Sequence, residues 1–67
     1  MKAKDKMAYR TAYDFHERHY AAQNASAYWS AVYADMAALN PAGDPFLADL
    51  LLAVREELER RAMRGTQ

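Results

Sequence analysis

An all-α fold, a small three-helix up-down-up bundle, is what this chain predicts, on three observations. Val32, Val54, Thr11 and Thr66 are its only β-branched residues, and strands need such side chains to pack a pleated surface. Apolar positions recur at helical spacing in three segments. Turn chemistry interrupts the chain at residues 23–26 and 40–45, and such short connections favour antiparallel neighbours.

The first helix is expected over about residues 5–22. At about 100° per residue, Ala8, Tyr9, Ala12, Tyr13, Phe15, His16, His19 and Tyr20 fall in one arc. Lys4, Lys6, Arg10, Thr11, Asp14, Glu17, Arg18 and Ala21 occupy the other side. The break that follows rests on Asn24 or Ser26, either of which can cap the next helix by accepting a bond from its free N–H groups.

The second helix, about residues 27–39, aligns Tyr28, Trp29, Val32, Tyr33, Met36 and Leu39. Its opposite face, Ser30, Ala31, Ala34, Ala37 and Ala38, is small rather than charged. The next break is stronger: Asn40 suits a left-handed helix end, Pro41 cannot continue a helix, and Asp44 before Pro45 reads as an N-cap followed by proline at the first helical position.

The third helix, about residues 45–63, aligns Phe46, Leu47, Leu50, Leu51, Ala53, Val54 and Leu58, leaving Leu52 and Met63 outside the arc. At 1.5 Å per residue it is about 28 Å long against about 20 Å for the second, so it should outrun its neighbour. Glu57 and Arg61 lie at core-facing angles where less core remains to be faced. They stand four apart in the favourable order, as do Glu56 and Arg60. With no repeat or linker, residues 1–67 read as one domain.

Composition narrows the function. Nine Lys and Arg balance nine Asp and Glu, for a formal net charge of zero, and the absence of Cys removes disulfides, thiolate catalysis and sulfur-based zinc sites. The basic first residues lead into no apolar run, and no stretch approaches the roughly 18 apolar residues of a membrane span, so a soluble cytoplasmic protein is expected. A chain this short buries only about 60% of its unfolded surface and has little material to enclose a substrate. No enzyme is expected, and no cofactor.

His16-Glu17-Arg18-His19 invites a metal reading. Zinc-protease helices place histidines four apart with a glutamate between; here the spacing is three, and neither Glu17 nor Asp14 shares the histidines' arc. The pair reads instead as partly buried imidazoles in a polar cluster at the core edge, His16, His19 and Glu57. In that cluster Glu57 should lie nearer His19 or Tyr20 than His16.

Five Tyr and one Trp each need a place for a polar tip. The expected arrangement packs the rings inward with hydroxyls at the rim. The functional alternative is an aromatic groove for a peptide or unpaired bases. Base stacking usually accompanies a basic track. Lys2, Lys4, Lys6 and Arg10 gather at one end, residues 11–54 are net negative, and the later arginines lie at the opposite pole. A membrane-surface role for the first helix is opposed by Asp14 and Glu17 on its polar side. Ser26 and Ser30 have no paired base and acid for nucleophilic catalysis.

Tyr13-Asp14-Phe15, Tyr28-Trp29, Asp44-Pro45-Phe46, Leu50-Leu51-Leu52-Ala53-Val54 and Glu57-Leu58 occur in an order that resembles small uncharacterised helical proteins of prophages and mobile elements of gut Firmicutes. The resemblance covers residues 13–58 and rests on packing patterns, so it transfers no active-site residue. It implies a short phage-type protein that binds a host or phage protein, sometimes inhibiting a defence enzyme or a regulator.

The function expected is therefore a non-enzymatic protein–protein interaction module, with a small nucleic-acid-binding regulator as the alternative. The expected contact surface, for self-association or for a partner, lies outside the aromatic arcs. It comprises Leu52, Met63 and Ala48 on the third helix and Ala31, Ala34 and Ala38 on the second, where another backbone can approach closely.

Overall fold

A computed structural model describes residues 1–65; Thr66 and Gln67, the last positions of the domain read from the sequence, lie outside the described residues. Three helices form: α1 spans Ala3–Arg18, α2 Ser26–Leu39 and α3 Pro45–Gly65. The described residues contain no strand.

Helix α1 starts earlier than expected because the Lys2 carbonyl already accepts the N–H groups of Asp5 (3.0 Å) and Lys6 (3.1 Å). Asp5 then lies in the first turn, where a carboxylate complements the helix dipole. It also ends earlier, at Arg18 rather than near Ala22. The reason is tertiary. The Tyr28 hydroxyl donates to the His19 carbonyl at 2.6 Å, occupying an acceptor that a continuing helix would use, and the His19 ring reaches Asp35.

Helix α2 begins without the expected side-chain cap. Ala25 is the N-cap, and neither Asn24 nor Ser26 plays that part. The 40–45 turn is as strong as expected but works differently at Asn40, which sits at φ −133° rather than in the left-handed region. The positive φ, 68°, falls on Gly43, where glycine has no Cβ to clash. Asn40 instead staples the turn, its Oδ1 accepting from the Asp44 N–H (2.9 Å) and its Nδ2 donating to the Asp44 carbonyl (3.0 Å). Asp44 Oδ2 caps α3 by accepting from the Leu47 N–H at 3.0 Å, with Pro45 as the first helical residue.

The helices pack around Ala12, Phe15, Val32 and Leu51, with Tyr28, Trp29, Met36, Leu39, Leu47, Leu50 and Val54 partly buried against them. Contacts between α1 and α3 join start to start and end to end. Lys4 pairs with Asp44 at 3.2 Å, the Tyr9 and Phe46 rings meet edge-on at 5.4 Å, and His16 lies 3.3 Å from Arg61. Helix α2 meets the end of α1 near its own start, through Tyr28 and His19, and its Tyr33 meets Arg55 of α3. These contacts are consistent with an up-down-up path.

Leu58 and Ala62 are buried in the late turns of α3, where less core was expected. Ala62 lines a cleft with Asn24, Trp29 and Tyr33, so the connection after α1 and the first turns of α2 cover this end of α3.

Candidate interaction face

Tyr9, Tyr13 and His16 follow one another at intervals of four and three residues, which places them along one side of α1, and Tyr20 follows in the connection beyond its end. Ala8, Ala12 and Phe15 take the position that faces the core. The ring-bearing stripe is thereby turned to the edge of α1, beside α3. The inward packing expected of these rings holds for Tyr28 and Trp29, which are partly buried and meet edge-on at 4.7 Å. It does not hold for Tyr9, Tyr13, Tyr20 and Tyr33, which are exposed, Tyr13 by 64% and Tyr20 by 68%. The small side chains of Ala8 and Ala12 let a neighbouring helix approach closely, and the bulkier rings are left at the margin of the contact.

Across the seam, α3 presents Phe46 near its start and an ionic cluster near its end. Glu57 Oε1 accepts from Arg60 Nε at 2.9 Å, and Glu57 Oε2 accepts from Arg61 Nε at 2.8 Å and lies 3.5 Å from Arg64 Nη2. One carboxylate is shared among three guanidinium groups. The hydrogen bonds from Arg61 and Arg60 hold the Glu57 carboxyl below its ordinary range. Arg61 Nη1 lies 3.3 Å from His16 Nε2, and because a guanidinium only donates, Nε2 is the acceptor in this contact.

A cleft of about 280 Å³ opens here, lined by Tyr13, His16, Glu17, Tyr20 and Arg61. Glu17, as hydrogen-bond acceptor and then as a neighbouring negative charge, raises the Tyr13 hydroxyl above its ordinary value.

The expected cluster of His16, His19 and Glu57 is thus divided. His16 and Glu57 are brought together, with Arg61 between them. His19 lies past the end of α1 and turns to α2, where its Nε2 meets Asp35 Oδ2 at 2.8 Å beside a two-pronged contact from Arg18 (2.7 and 2.9 Å). Of the expected neighbours of Glu57, His19 or Tyr20 before His16, His19 pairs with Asp35, while Arg61, bonded to Glu57, contacts His16 and lines a cleft with Tyr20. Arg60 bonds Glu57 rather than Glu56, and Arg55 pairs with Glu59. Among the described residues, no three His, Asp or Glu side chains gather as a metal ion would need.

Leu52, Met63, Ala48, Ala31, Ala34 and Ala38 are all exposed. Met63 lines a cleft of about 290 Å³ with Asn24, Trp29, Tyr33, Glu59 and Ala62. Leu52 lies about 100° around α3 from the buried Leu51, away from the α1 side. Sequence reasoning missed the approach of Arg61 to Tyr13 and Tyr20, although the exposed tyrosines and the run of Arg60, Arg61 and Arg64 were its signals.

In comparisons with known proteins, no family model, curated protein or solved structure matches this chain. Among the described residues, no helix is long and apolar enough to cross a membrane.

Proposed function

We propose that this chain is a non-enzymatic protein–protein interaction module of the cytoplasm that binds a protein partner, either a second copy or a host or phage protein. The observation that carries the reading is the α1–α3 seam, where exposed Tyr9 meets Phe46 at one end and exposed Tyr13 and Tyr20 border a cleft with Arg61 at the other. Tyr and Arg dominate the energetics of protein interfaces, because each offers broad contact area together with directional hydrogen bonds. An accessory or inhibitory role in a mobile element is supported by the resemblance over residues 13–58.

A photo-crosslinking side chain placed at Tyr13 tests the reading. The expected result is a cross-linked protein of defined mass, identified by mass spectrometry, still formed at high salt and lost when Tyr20→Ala is added. A nucleic-acid-binding regulator would behave differently: it would bind a fluorescent single-stranded oligonucleotide with an affinity falling steeply with salt, as counterion release requires. That result, with no protein cross-link, would replace the proposal.

A further inference from the structure

A groove opens on the other flank of α1, between its first turns and the turn that joins α2 to α3. Met7 and Tyr9 are two residues apart and so about 200° apart around the helix, which separates this groove from the tyrosine seam. Its volume is about 500 Å³, with Met7 and Ala8 on one side and Leu39, Pro41, Ala42 and Leu47 on the other. Ala8 and Ala42 carry only a methyl group, and Met7 is turned outward, so the space between the elements is left open. Past Met7 and Thr11 the groove continues into a smaller depression of about 250 Å³, completed by Lys6 and Arg10. Charge along this path is one-sided. Asp44 is the single carboxylate lining it and is already engaged, by Lys4 at 3.2 Å and by the Leu47 N–H. Lys6 and Arg10 make no ion pair among the described residues.

We infer that this groove receives an acidic amphipathic helix of another protein, its apolar side chains against Met7, Leu39 and Leu47 and two of its carboxylates on Lys6 and Arg10. The inference goes beyond the seam reading, since it names a separate surface and the chemistry of its occupant. Lys6 and Arg10 stand four apart on α1, one turn of helix, and so match carboxylates four apart on a helix lying alongside. Other ways of holding a segment fit less well. Strand addition needs a sheet edge, which the described residues lack, and a polyproline segment docks between aromatic rings, whereas no ring lines this groove. Met7 suits an apolar anchor, because an unbranched, polarisable side chain adapts to what it meets. An anionic membrane is the poorer partner: a flat surface would meet exposed Asp14 and Glu17 on the outside of α1 as well as the cations, while the apolar wall is recessed.

Fluorescence anisotropy tests the inference with a fluorescein-labelled helical peptide that carries leucines along one face and glutamates four apart beside them. Its glutamine-for-glutamate counterpart, an oligothymidine, and vesicles of phosphatidylglycerol serve as comparisons. The acidic peptide is expected to bind, and combining Lys6→Gln with Arg10→Gln should weaken it about fivefold, the loss of two exposed ion pairs. Met7→Asp should weaken it further, with helicity retained by circular dichroism because Met7 is exposed and its loss opens no cavity. Amide shift changes on the unaltered protein should concentrate at Met7, Thr11, Leu39 and Ala42, a readout independent of how the variants fold. Equal binding of the glutamine peptide, preference for oligothymidine or for the vesicles, no peptide binding, or shift changes centred on Tyr13 and Tyr20 would each overturn the inference. Shift changes at Met7 and Leu39 that grow with protein concentration in the absence of peptide would put a second copy in the groove and overturn it too. A protein cross-link from position 13 beside any of these results would leave the seam reading standing, while loss of that cross-link with peptide still bound at Met7 would reject the seam alone.

Discussion

Phe15 and Leu58 have no exposed surface, and each fills volume in a core that holds only seven buried residues among those described. A chain of this length holds a net stability of about 3–10 kcal/mol, so one large cavity is decisive. Phe15→Ala should cost about 3–5 kcal/mol and Leu58→Ala about 2–5 kcal/mol, while Leu52→Ala, at a half-exposed site, should stay within about 0.5 kcal/mol. Urea denaturation followed by circular dichroism measures all three. Carboxylates set a second expectation. The Leu47 N–H and Lys4 hold the Asp44 carboxyl below its ordinary 3.8, and Arg61 and Arg60 hold Glu57 below its ordinary 4.5. The unfolded chain therefore binds more protons in acid, so the stability these groups add is full above the ordinary carboxylate range and is lost as pH falls through their lowered folded values. The thermal midpoint should hold from pH 7 to about 5 and drop below about 4. Asp44→Asn with Glu57→Gln should flatten that acid limb, since asparagine still caps a helix but does not titrate. At this scale the sequence reveals the cap at Asp44 and the burial of Phe15 and Leu58. It hides the orientation of the tyrosines, because an arc wide enough to hold Phe15 and Tyr13 together does not say which edge the neighbouring helix takes. The close approach at Ala8 and Ala12 decides that.

Helix boundaries follow the same division between local and tertiary causes. The 40–45 turn is legible because proline, glycine and asparagine constrain the backbone whatever surrounds them, and its one left-handed residue is Gly43. A Cβ added there meets nothing within 4 Å, so Gly43→Ala should cost only the backbone penalty of about 1–2 kcal/mol, with Gly43→Asn costing less. Thermal denaturation of the pair checks the order. The end of α1 is not legible, because Ala21 and Ala22 favour helix and no breaker follows Arg18. What stops it is Tyr28 on the His19 carbonyl and Asp35 on the His19 and Arg18 side chains, contacts spanning 9 to 17 residues. Asp35→Ala should therefore act locally. It should cost about 0.5–1 kcal/mol of stability, as partly exposed ion pairs do, and speed amide exchange in residues 19–25 more than in α3.

The whole molecule is elongated, with extents of 42 × 20 × 16 Å and a radius of gyration of 12.4 Å, against about 11 Å for a compact domain of this length. Elongation follows from α3, whose 21 residues outrun the 14 of α2, and it leaves a two-helix seam open on the side away from α2. Two surfaces then compete to bury further apolar area. The outer faces of α2 and α3 offer small alanines and Leu52, exposed by 42%, whereas the seam offers the Tyr13 and Tyr20 rings with Arg61. A lone half-exposed leucine is ordinary on a soluble protein, while rings that can be desolvated together with arginines behave as interface anchors. Substitution at the two surfaces separates them. Tyr13→Ala with Tyr20→Ala should abolish concentration-dependent association in sedimentation equilibrium and leave helicity intact, because both side chains are exposed and their loss opens no cavity. Leu52→Glu should leave association unchanged. The reverse pattern, association lost with Leu52→Glu and kept without the tyrosines, would move the contact to the outer face of α3 and make the seam a solvated edge of the core.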